Sequence, residues 1–394
     1  MRILALILLS LSLSACSILD TLSEATTGLS DYIFGEDNAE PPAELTELQA
    51  EIQIEQLWKE SVGDGPGSRL LKLMPGITDS AVIAGSSEGV IKAFNAHNGD
   101  AIWEADTELK LSAGPGISER SVVFASSQAD VIALNPNSGS VNWKVKVSSE
   151  VLSVPVIAKG LVIIRSTDGR IVALDEIDGH KVWSFERGVP ALSLRGTGMS
   201  VVEDDMLISG FDNGKLLALR LKDGKQIWES SIAMPQGRSE VERLVDLDAD
   251  PVISDGIVYI ASYQGGISAA LARTGEVTWR NSNISVYSAL HLDRRYIYLS
   301  DSSGDVWQLD QGNGASLWKQ KELHQRKLTA AVPYESYVVV GDFEGYVHWL
   351  SVHDGRQLGR YQVTSDAIVA PPVVKDDIIY VYAKDGSLAA LKAR

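Results

Sequence analysis

The sequence predicts an all-β fold, an eight-bladed β-propeller of four-stranded antiparallel blades, and three observations support this prediction. One motif recurs eight times at a spacing near 40 residues, which is typical of propeller blades. Seven of the nine tryptophans occupy one position of that motif. The last copy stops before its final strand, and a matching strand precedes the first copy. The two ends of the chain are therefore expected to share one blade.

The repeated motif is an alternating apolar strand that ends in Ala-Leu or a variant of it, followed by a turn glycine and, four residues later, a tryptophan. Residues 89–103 are one copy and residues 169–183 are another. Such alternation is typical of a strand that buries one face, and the glycine suits a turn position with positive φ. We interpret the motif tryptophans as residues that pack between blades; they are Trp58, Trp103, Trp143, Trp183, Trp228, Trp279 and Trp318.

The eighth copy starts at Gly386 and has no tryptophan strand after it. Trp58 lies 45 residues before Trp103, so its strand is expected to complete the last blade and close the ring, which would remove two open sheet edges. The seventh copy has Gly359 where tryptophan is expected. We expect the propeller to span residues 52–394.

The N-terminal residues are typical of an export signal. An arginine is followed by an apolar run at residues 3–13, too short to span a bilayer. Leu13-Ser14-Ala15-Cys16 resembles a bacterial lipobox, which implies that residues 1–15 are removed and that Cys16 is lipidated. In such lipoproteins an aspartate after the cysteine signals retention in the inner membrane. The resemblance, with serine at position 17, therefore implies the outer membrane. The alternative is a plain signal peptide that contains a cysteine.

Residues 16–51 are expected to be the lipidated cysteine and a flexible acidic tether. Between Ser17 and Trp58 there are ten acidic residues and no Lys or Arg, a composition typical of disordered segments. Leu45, Leu48 and Ile52 are spaced as on one helix face, so a short local helix is the alternative.

Composition excludes several classes of protein. The net charge of the 394 residues is −17, and such a surface repels phosphates, which argues against nucleic-acid binding. A single cysteine excludes an intramolecular disulfide.

Three patterns could carry chemistry, and none meets its structural requirement. Residues 85–89 fit G-x-S-x-G, but that motif acts between a strand and a helix, whereas strands are predicted on both sides here. Residues 246–250 open like a calcium loop, yet Pro251 and Ile257 stand where an EF-hand needs glycine and glutamate. The six histidines show no zinc-site spacing. We therefore predict no catalytic residue, no metal site and no cofactor.

The spacing of the motif tryptophans is longest in the middle of the chain. It rises to 45 residues between Trp183 and Trp228 and to 51 between Trp228 and Trp279. Insertions in propellers lie in loops on one face, often the binding face. Residues 189–196 combine apolar side chains with an arginine, as binding hot spots do, and residues 234–248 are strongly charged. The alternatives are inner-strand packing for the first segment and a solvated loop for the second.

The repeat resembles the quinoprotein (PQQ-type) propeller motif, and the lipobox, acidic tether and eight degenerate repeats together resemble the BamB family. That resemblance implies a non-enzymatic, lipid-anchored scaffold that faces the periplasm within the outer-membrane β-barrel assembly complex. It implies binding to the periplasmic (POTRA) domains of BamA and to other subunits, with unfolded barrel proteins as a further candidate partner. The residues that match the family's partner-binding segments are Leu192, Leu194, Arg195, Asp246 and Asp248.

Two other functions remain open from the sequence. The blade motif is shared with enzymes, so a PQQ-dependent periplasmic oxidoreductase is one alternative, although one lipidated cysteine cannot form the disulfide that many such enzymes carry. A ligand-binding sensor lipoprotein, for example for sugars, is the other.

Overall fold

The computed structural model describes residues 40–67, 71–188, 198–233, 247, 249–262, 265–286 and 289–394. The regular structure of these residues is entirely β: 33 strands form eight sheets. The predicted eight-bladed β-propeller is therefore confirmed. No helix long and apolar enough to cross a membrane occurs in this part of the chain.

Blades 1 to 4 follow one another along the chain, and each runs from its innermost to its outermost strand. Their strands are β3 Gly76–Ile77, β4 Ala81–Gly85, β5 Val90–Asn95, β6 Ala101–Asp106; β7 Leu111–Ile117, β8 Val122–Ser126, β9 Asp130–Leu134, β10 Val141–Lys146; β11 Val156–Ala158, β12 Leu161–Arg165, β13 Arg170–Asp175, β14 Lys181–Glu186; and β15 Val201–Glu203, β16 Met206–Gly210, β17 Lys215–Arg220, β18 Gln226–Ser231. A further short strand, β2 Lys72–Leu73, pairs in parallel with the inner edge of blade 2.

Blades 5 to 7 repeat this order, and blade 8 takes its outermost strand from the start of the folded chain. The strands are β19 Val252–Ser254, β20 Ile257–Ser262, β21 Gly266–Leu271, β22 Val277–Asn281; β23 His291–Asp293, β24 Tyr296–Ser300, β25 Val306–Asp310, β26 Ser316–Gln320; β27 Val332–Tyr334, β28 Tyr337–Gly341, β29 Tyr346–Ser351, β30 Gln357–Gln362; and β31 Val373–Lys375, β32 Ile378–Tyr382, β33 Ser387–Ala393 with β1 Ile54–Ser61.

The ring closes as the sequence predicts. β1 pairs antiparallel with β33, from Ile54 opposite Ala393 to Ser61 opposite Ser387. The pairing supplies hydrogen-bond partners to an edge that would otherwise stay open.

Position within a blade explains the strand sequences. The two middle strands are covered by neighbouring blades on both faces, so β12 and β13 are nearly continuous runs of buried apolar residues. The outermost strands are covered less, and β14 buries little beyond its tryptophan. Burial of apolar area between blades provides the main driving force for the fold.

Each motif tryptophan reaches the next blade. Its indole N–H donates a hydrogen bond of 2.8 to 3.0 Å to a backbone carbonyl three residues before the turn glycine of that blade. The turn glycines have φ between +67° and +77°, and a Cβ on any of them would lie 2.5 to 2.9 Å from the indole. Glycine is thus required twice, for its φ and for the close approach. The turn glycines are Gly99, Gly139, Gly179, Gly224, Gly275, Gly314 and Gly355.

Every outermost strand also carries a β-bulge immediately before the motif position. In blade 3, for example, Lys181 and Trp183 pair with successive residues of β13, so Val182 is skipped. The other seven blades show the same shift. A bulge interrupts the ladder and twists an edge strand, which protects exposed edges from pairing with other chains.

The last part of the segment assigned to the tether lies along the outer side of blade 7. The Ala43 N–H donates to the His324 carbonyl at 2.9 Å, and the Glu51 N–H donates to the Leu358 carbonyl at 2.8 Å. Leu45 packs between blades 6 and 7, whereas Ile52 packs between blades 7 and 8. Residues 40–53 contain no helix, so the alternative of a local helix there is wrong. Cys16 lies outside the described residues.

Candidate functional site

The connections between blades lie on one face of the ring, which we call the connection face. An antiparallel four-stranded blade begins its innermost strand and ends its outermost strand at the same end, beside the turn between its middle strands. Hydrogen bonds join these elements: the Thr107 N–H donates to Gly89 at 3.1 Å, and the Ile232 N–H donates to Gly214 at 2.9 Å. The two long connections, between β14 and β15 and between β18 and β19, therefore start and end on this face at blades 3 to 5.

The residues predicted to bind a partner belong to these two connections. They lie outside the described residues: Leu192, Leu194, Arg195, Asp246 and Asp248. The described residues on either side show how the ends of both connections are held.

The first long connection ends at Gly198, which a buried arginine holds. The Arg165 guanidinium donates from Nη1 to the Gly198 carbonyl at 3.2 Å and from Nη2 to Asp212 Oδ1 at 3.1 Å. The Ser153 hydroxyl donates to the same Gly198 carbonyl at 3.2 Å. Arg165 is only 3% exposed, and its guanidinium carbon lies 4.9 Å from the centroid of the Phe211 ring, a favourable cation–π distance. These bonds fix the exit of the connection to blades 3 and 4.

The second long connection ends on buried residues. Leu247 is fully buried between blades 4 and 5, and a Cβ on Gly210 would lie 2.7 Å from the Leu247 Cβ. Asp250 Oδ1 accepts two bonds of 2.6 Å, one from the Met199 N–H and one from Lys72 Nζ. A single carboxylate thus joins the exits of both connections.

Three charged side chains form a cluster near Arg187, which follows β14 where the first long connection begins. Arg187 Nη1 lies 2.7 Å from Glu229 Oε2, and Lys215 also pairs with Glu229. Hydrogen bonds from Arg187 and Lys215 lower the pKa of Glu229 to about 2. The carboxylate is therefore ionised at neutral pH, and the three side chains together keep one net positive charge.

The central channel offers a cavity of about 640 Å3 with a mainly apolar wall. Its lining comes from the inner strands of blades 2 to 6, with side chains such as Ile117, Val201 and Val252. Glu203 and His291 are the ionisable residues among the described lining residues, and burial lowers the pKa of His291 to about 4. A PQQ cofactor carries several carboxylates and needs cationic partners, which this lining does not offer. The wall does not fit that group.

An exposed cluster lies on the opposite face, in the turn between β13 and β14. Asp175, Asp178 and His180 place ligand-type atoms within 4.8 Å of one another, and His180 Nδ1 lies 2.6 Å from Asp178 Oδ1. The hydrogen bond to Asp178 raises the pKa of His180. Exposed acidic turns of this kind are common without a metal ion.

No sequence motif predicted that Arg165, Lys72 and Asp250 would hold the candidate site. The repeat does distinguish Arg165, because most other blades have a small residue at the equivalent position, for example Gly85 and Gly210. For Lys72 the repeat offers no signal, because the segment that contains it has no counterpart in other blades.

Comparison with known proteins identifies the family. The family model described as "Outer membrane protein assembly factor BamB" matches residues 87–320 and 309–394. A curated protein of that name from Pseudomonas aeruginosa is 47% identical over 354 residues, which cover 90% of this chain and 93% of the relative. The chain belongs to the BamB family. The BamB of Legionella pneumophila is 41% identical over 375 residues, covering 95% and 97% of the two chains.

Solved structures agree with this assignment. The crystal structure of BamB from Moraxella catarrhalis superposes with a TM-score of 0.78 at 25% identity, covering 86% of this chain and all of that one. A quinohemoprotein alcohol dehydrogenase from Comamonas testosteroni gives a TM-score of 0.68 at 13% identity, covering 86% and 76%. The second likeness shows a shared propeller fold alone. BamB relatives are curated as assembly factors.

Proposed function

We propose that this chain is a non-enzymatic scaffold lipoprotein of the outer-membrane β-barrel assembly complex. It is anchored through Cys16 in the outer membrane, faces the periplasm, and binds the periplasmic POTRA domains of BamA. The observation that carries the proposal is membership of the BamB family over 90% of the chain. In this role the chain aids the assembly and insertion of barrel proteins through surface contacts.

The partner surface of the proposal is the connection face of blades 3 to 5. Support comes from the two long connections, whose exits are fixed by Arg165 and Asp250 on buried residues. A surface whose supports are rigid loses little conformational entropy on binding. Leu192, Leu194 and Arg195 would supply the apolar and bidentate contacts, and Asp246 and Asp248 would pair with cations of the partner.

The lipid anchor contributes to binding by confinement. Two or more acyl chains on Cys16 would hold the chain stably at the outer membrane. Confinement raises the effective concentration of one partner for the other without adding contacts. A moderate affinity of the connection face would then suffice in the envelope.

Capture of BamA by the full-length, detergent-solubilised chain tests the proposal. We expect Leu194→Ala and Arg195→Ala each to weaken binding by about 2 kcal/mol or more, as hot-spot truncations do. Leu317→Ala is the matched control, because Leu317 is 51% exposed on the outer side of blade 6, away from the connection face. Equal capture by all three variants contradicts the assignment of this surface.

The absence of an enzymatic role has its own test. PQQ and Ca²⁺ added to the purified chain should give no dye reduction above that of the free cofactor. Turnover that depends on the chain would favour the oxidoreductase alternative instead.

Direct contact with unfolded barrel proteins is a second part of the proposal. A blade edge could pair with a client strand, and the bulge on each outermost strand limits the usable ladder to the residues that follow it. Cross-linking from the outer strands to a client during assembly would detect such pairing, and exclusive cross-linking to BamA would contradict it.

A further inference from the structure

An ion pair crosses the mouth of the central channel. Lys72 lies on β2, which is joined to the inner edge of blade 2. Its Nζ is 2.6 Å from Asp250 Oδ1, immediately before the inner strand of blade 5. Blades 2 and 5 are not neighbours in the ring, so this contact links two sheets that share no blade interface.

Both partners are held firmly and are largely shielded. The backbone of Lys72 pairs with Ala113, and Leu73 beside it is 2% exposed in the core of blades 1 and 2. The side chains of Lys72 and Asp250 are 22% and 12% exposed. Among the described residues, the Lys72 ammonium has no other hydrogen-bond partner. A lysine on a fixed strand is thus directed at one carboxylate.

The same carboxylate oxygen holds the Met199 N–H at 2.6 Å. Met199 stands at the exit of the first long connection and Asp250 at the exit of the second. A charge shielded from water is stabilised when it is paired and hydrogen-bonded. Lys72 supplies the opposite charge, so the position of the Met199 amide depends on a residue across the channel.

We propose that Lys72 is a positioning residue for the partner-binding face. By pairing with Asp250 across the channel mouth, it fixes the exits of both long connections relative to each other. This inference rests on the proposed function for its effect on partner binding, but its effect on Met199 is independent of any partner.

Amide hydrogen exchange at Met199 in the full-length chain is the direct test. We expect Lys72→Met to speed exchange at Met199 at least about tenfold, because the bond to Asp250 loses its support. Lys375→Met is the matched control on the opposite face, where Lys375 Nζ lies 3.1 Å from Asp79 across the junction of blades 8 and 1. Unchanged exchange at Met199 in Lys72→Met overturns the inference.

A charge swap separates positioning from simple stabilisation. Lys72→Arg should restore slow Met199 exchange and BamA binding. The double variant Lys72→Asp/Asp250→Lys should recover thermal stability, because the ion pair is kept. It should not recover the Met199 bond, since lysine has no acceptor. If Lys72 only braced the ring, the swap would restore binding as well, and that result would overturn the inference.

Binding to BamA is the third measurement, after hydrogen exchange and the charge swap. We expect Lys72→Met and the swapped variant to bind BamA about tenfold more weakly than the native chain, within the range usual for coupled sites. Native-like binding by Lys72→Met contradicts the inference. If the native chain itself does not bind BamA, the proposed function fails, while Met199 exchange still decides whether Lys72 positions the connections.

Discussion

Ile52 packs against Gly359 so closely that a Cβ on the glycine would lie 2.8 Å from Ile52 Cγ1. At the other blade junctions, a tryptophan of one blade covers the turn glycine of the next. Blade 8 has no such turn, because its third strand ends at Ala393 and its outermost strand begins at Ile54. The side chains of Ile52 and Ile54 fill the space instead. The missing tryptophan of the seventh repeat is therefore a consequence of ring closure.

Restoring the repeat consensus at this junction should destabilise the protein. In Gly359→Trp the indole would occupy space that Ile52 and Ile54 already fill, and such overpacking costs about 1–3 kcal/mol. Urea denaturation of the two proteins measures the difference. Ile52→Ala/Gly359→Trp should be more stable than Gly359→Trp alone, and a higher midpoint for Gly359→Trp would refute this explanation.

Removal of one indole donor should be costly although the aromatic ring is kept. Trp183 donates to the Leu221 carbonyl at 2.8 Å in a buried junction. Trp183→Phe leaves that carbonyl without this donor, which costs about 1–3 kcal/mol. Ile227→Ala, at a 47% exposed bulge residue, should stay within about 0.5 kcal/mol. Equal unfolding free energies for the two variants would show that the indole bond contributes little.

The Arg165–Asp212 pair should behave as a buried ion pair. Arg165→Met removes the cation beside a shielded carboxylate, and breaking such a pair costs about 3–5 kcal/mol. Arg165→Met/Asp212→Leu should be less destabilised than Arg165→Met, because no charge is left behind. A double-mutant cycle by chemical denaturation measures the coupling, and additive effects would rule it out.

Acid should destabilise the protein partly through His291. Burial lowers the pKa of His291 to about 4 from an ordinary value of 6.5. Between these values the unfolded chain binds a proton that the folded chain does not, so stability is lost as the pH falls from 6.5 to 4. The unfolding free energy of His291→Gln should fall less steeply over this range, with a slope smaller by up to about 1.4 kcal/mol per pH unit. Chemical denaturation at several pH values measures the unfolding free energies of the native protein and His291→Gln, and most contributions of carboxyl groups cancel in their difference. Parallel pH profiles of the two proteins would contradict the prediction.

Repetition makes much of the fold readable from sequence. A glycine followed four residues later by tryptophan predicts a turn and the strand after it. At every junction except that of blades 7 and 8, the turn glycine of one blade lies against the motif tryptophan of the blade before it. The position of Trp58 predicts the pairing of its strand with the last strand, and β1 pairs with β33. The sequence also predicts the two longest connections at blades 3 to 5, because connection length is directly visible as an irregular tryptophan spacing.

Contacts across the ring could not be predicted from the sequence repeat. Lys72 and Asp250 are 178 positions apart, and neither belongs to the repeated motif. Ile52 reaches Gly359 only because the chain passes along blade 7 before it enters blade 8. The sequence by itself determined the number of blades, their turns and the closing strand, since these follow from local periodicity and nearest-neighbour packing. The tertiary structure alone decided which residues meet at the channel mouth and at the closing junction, because ring curvature sets those distances.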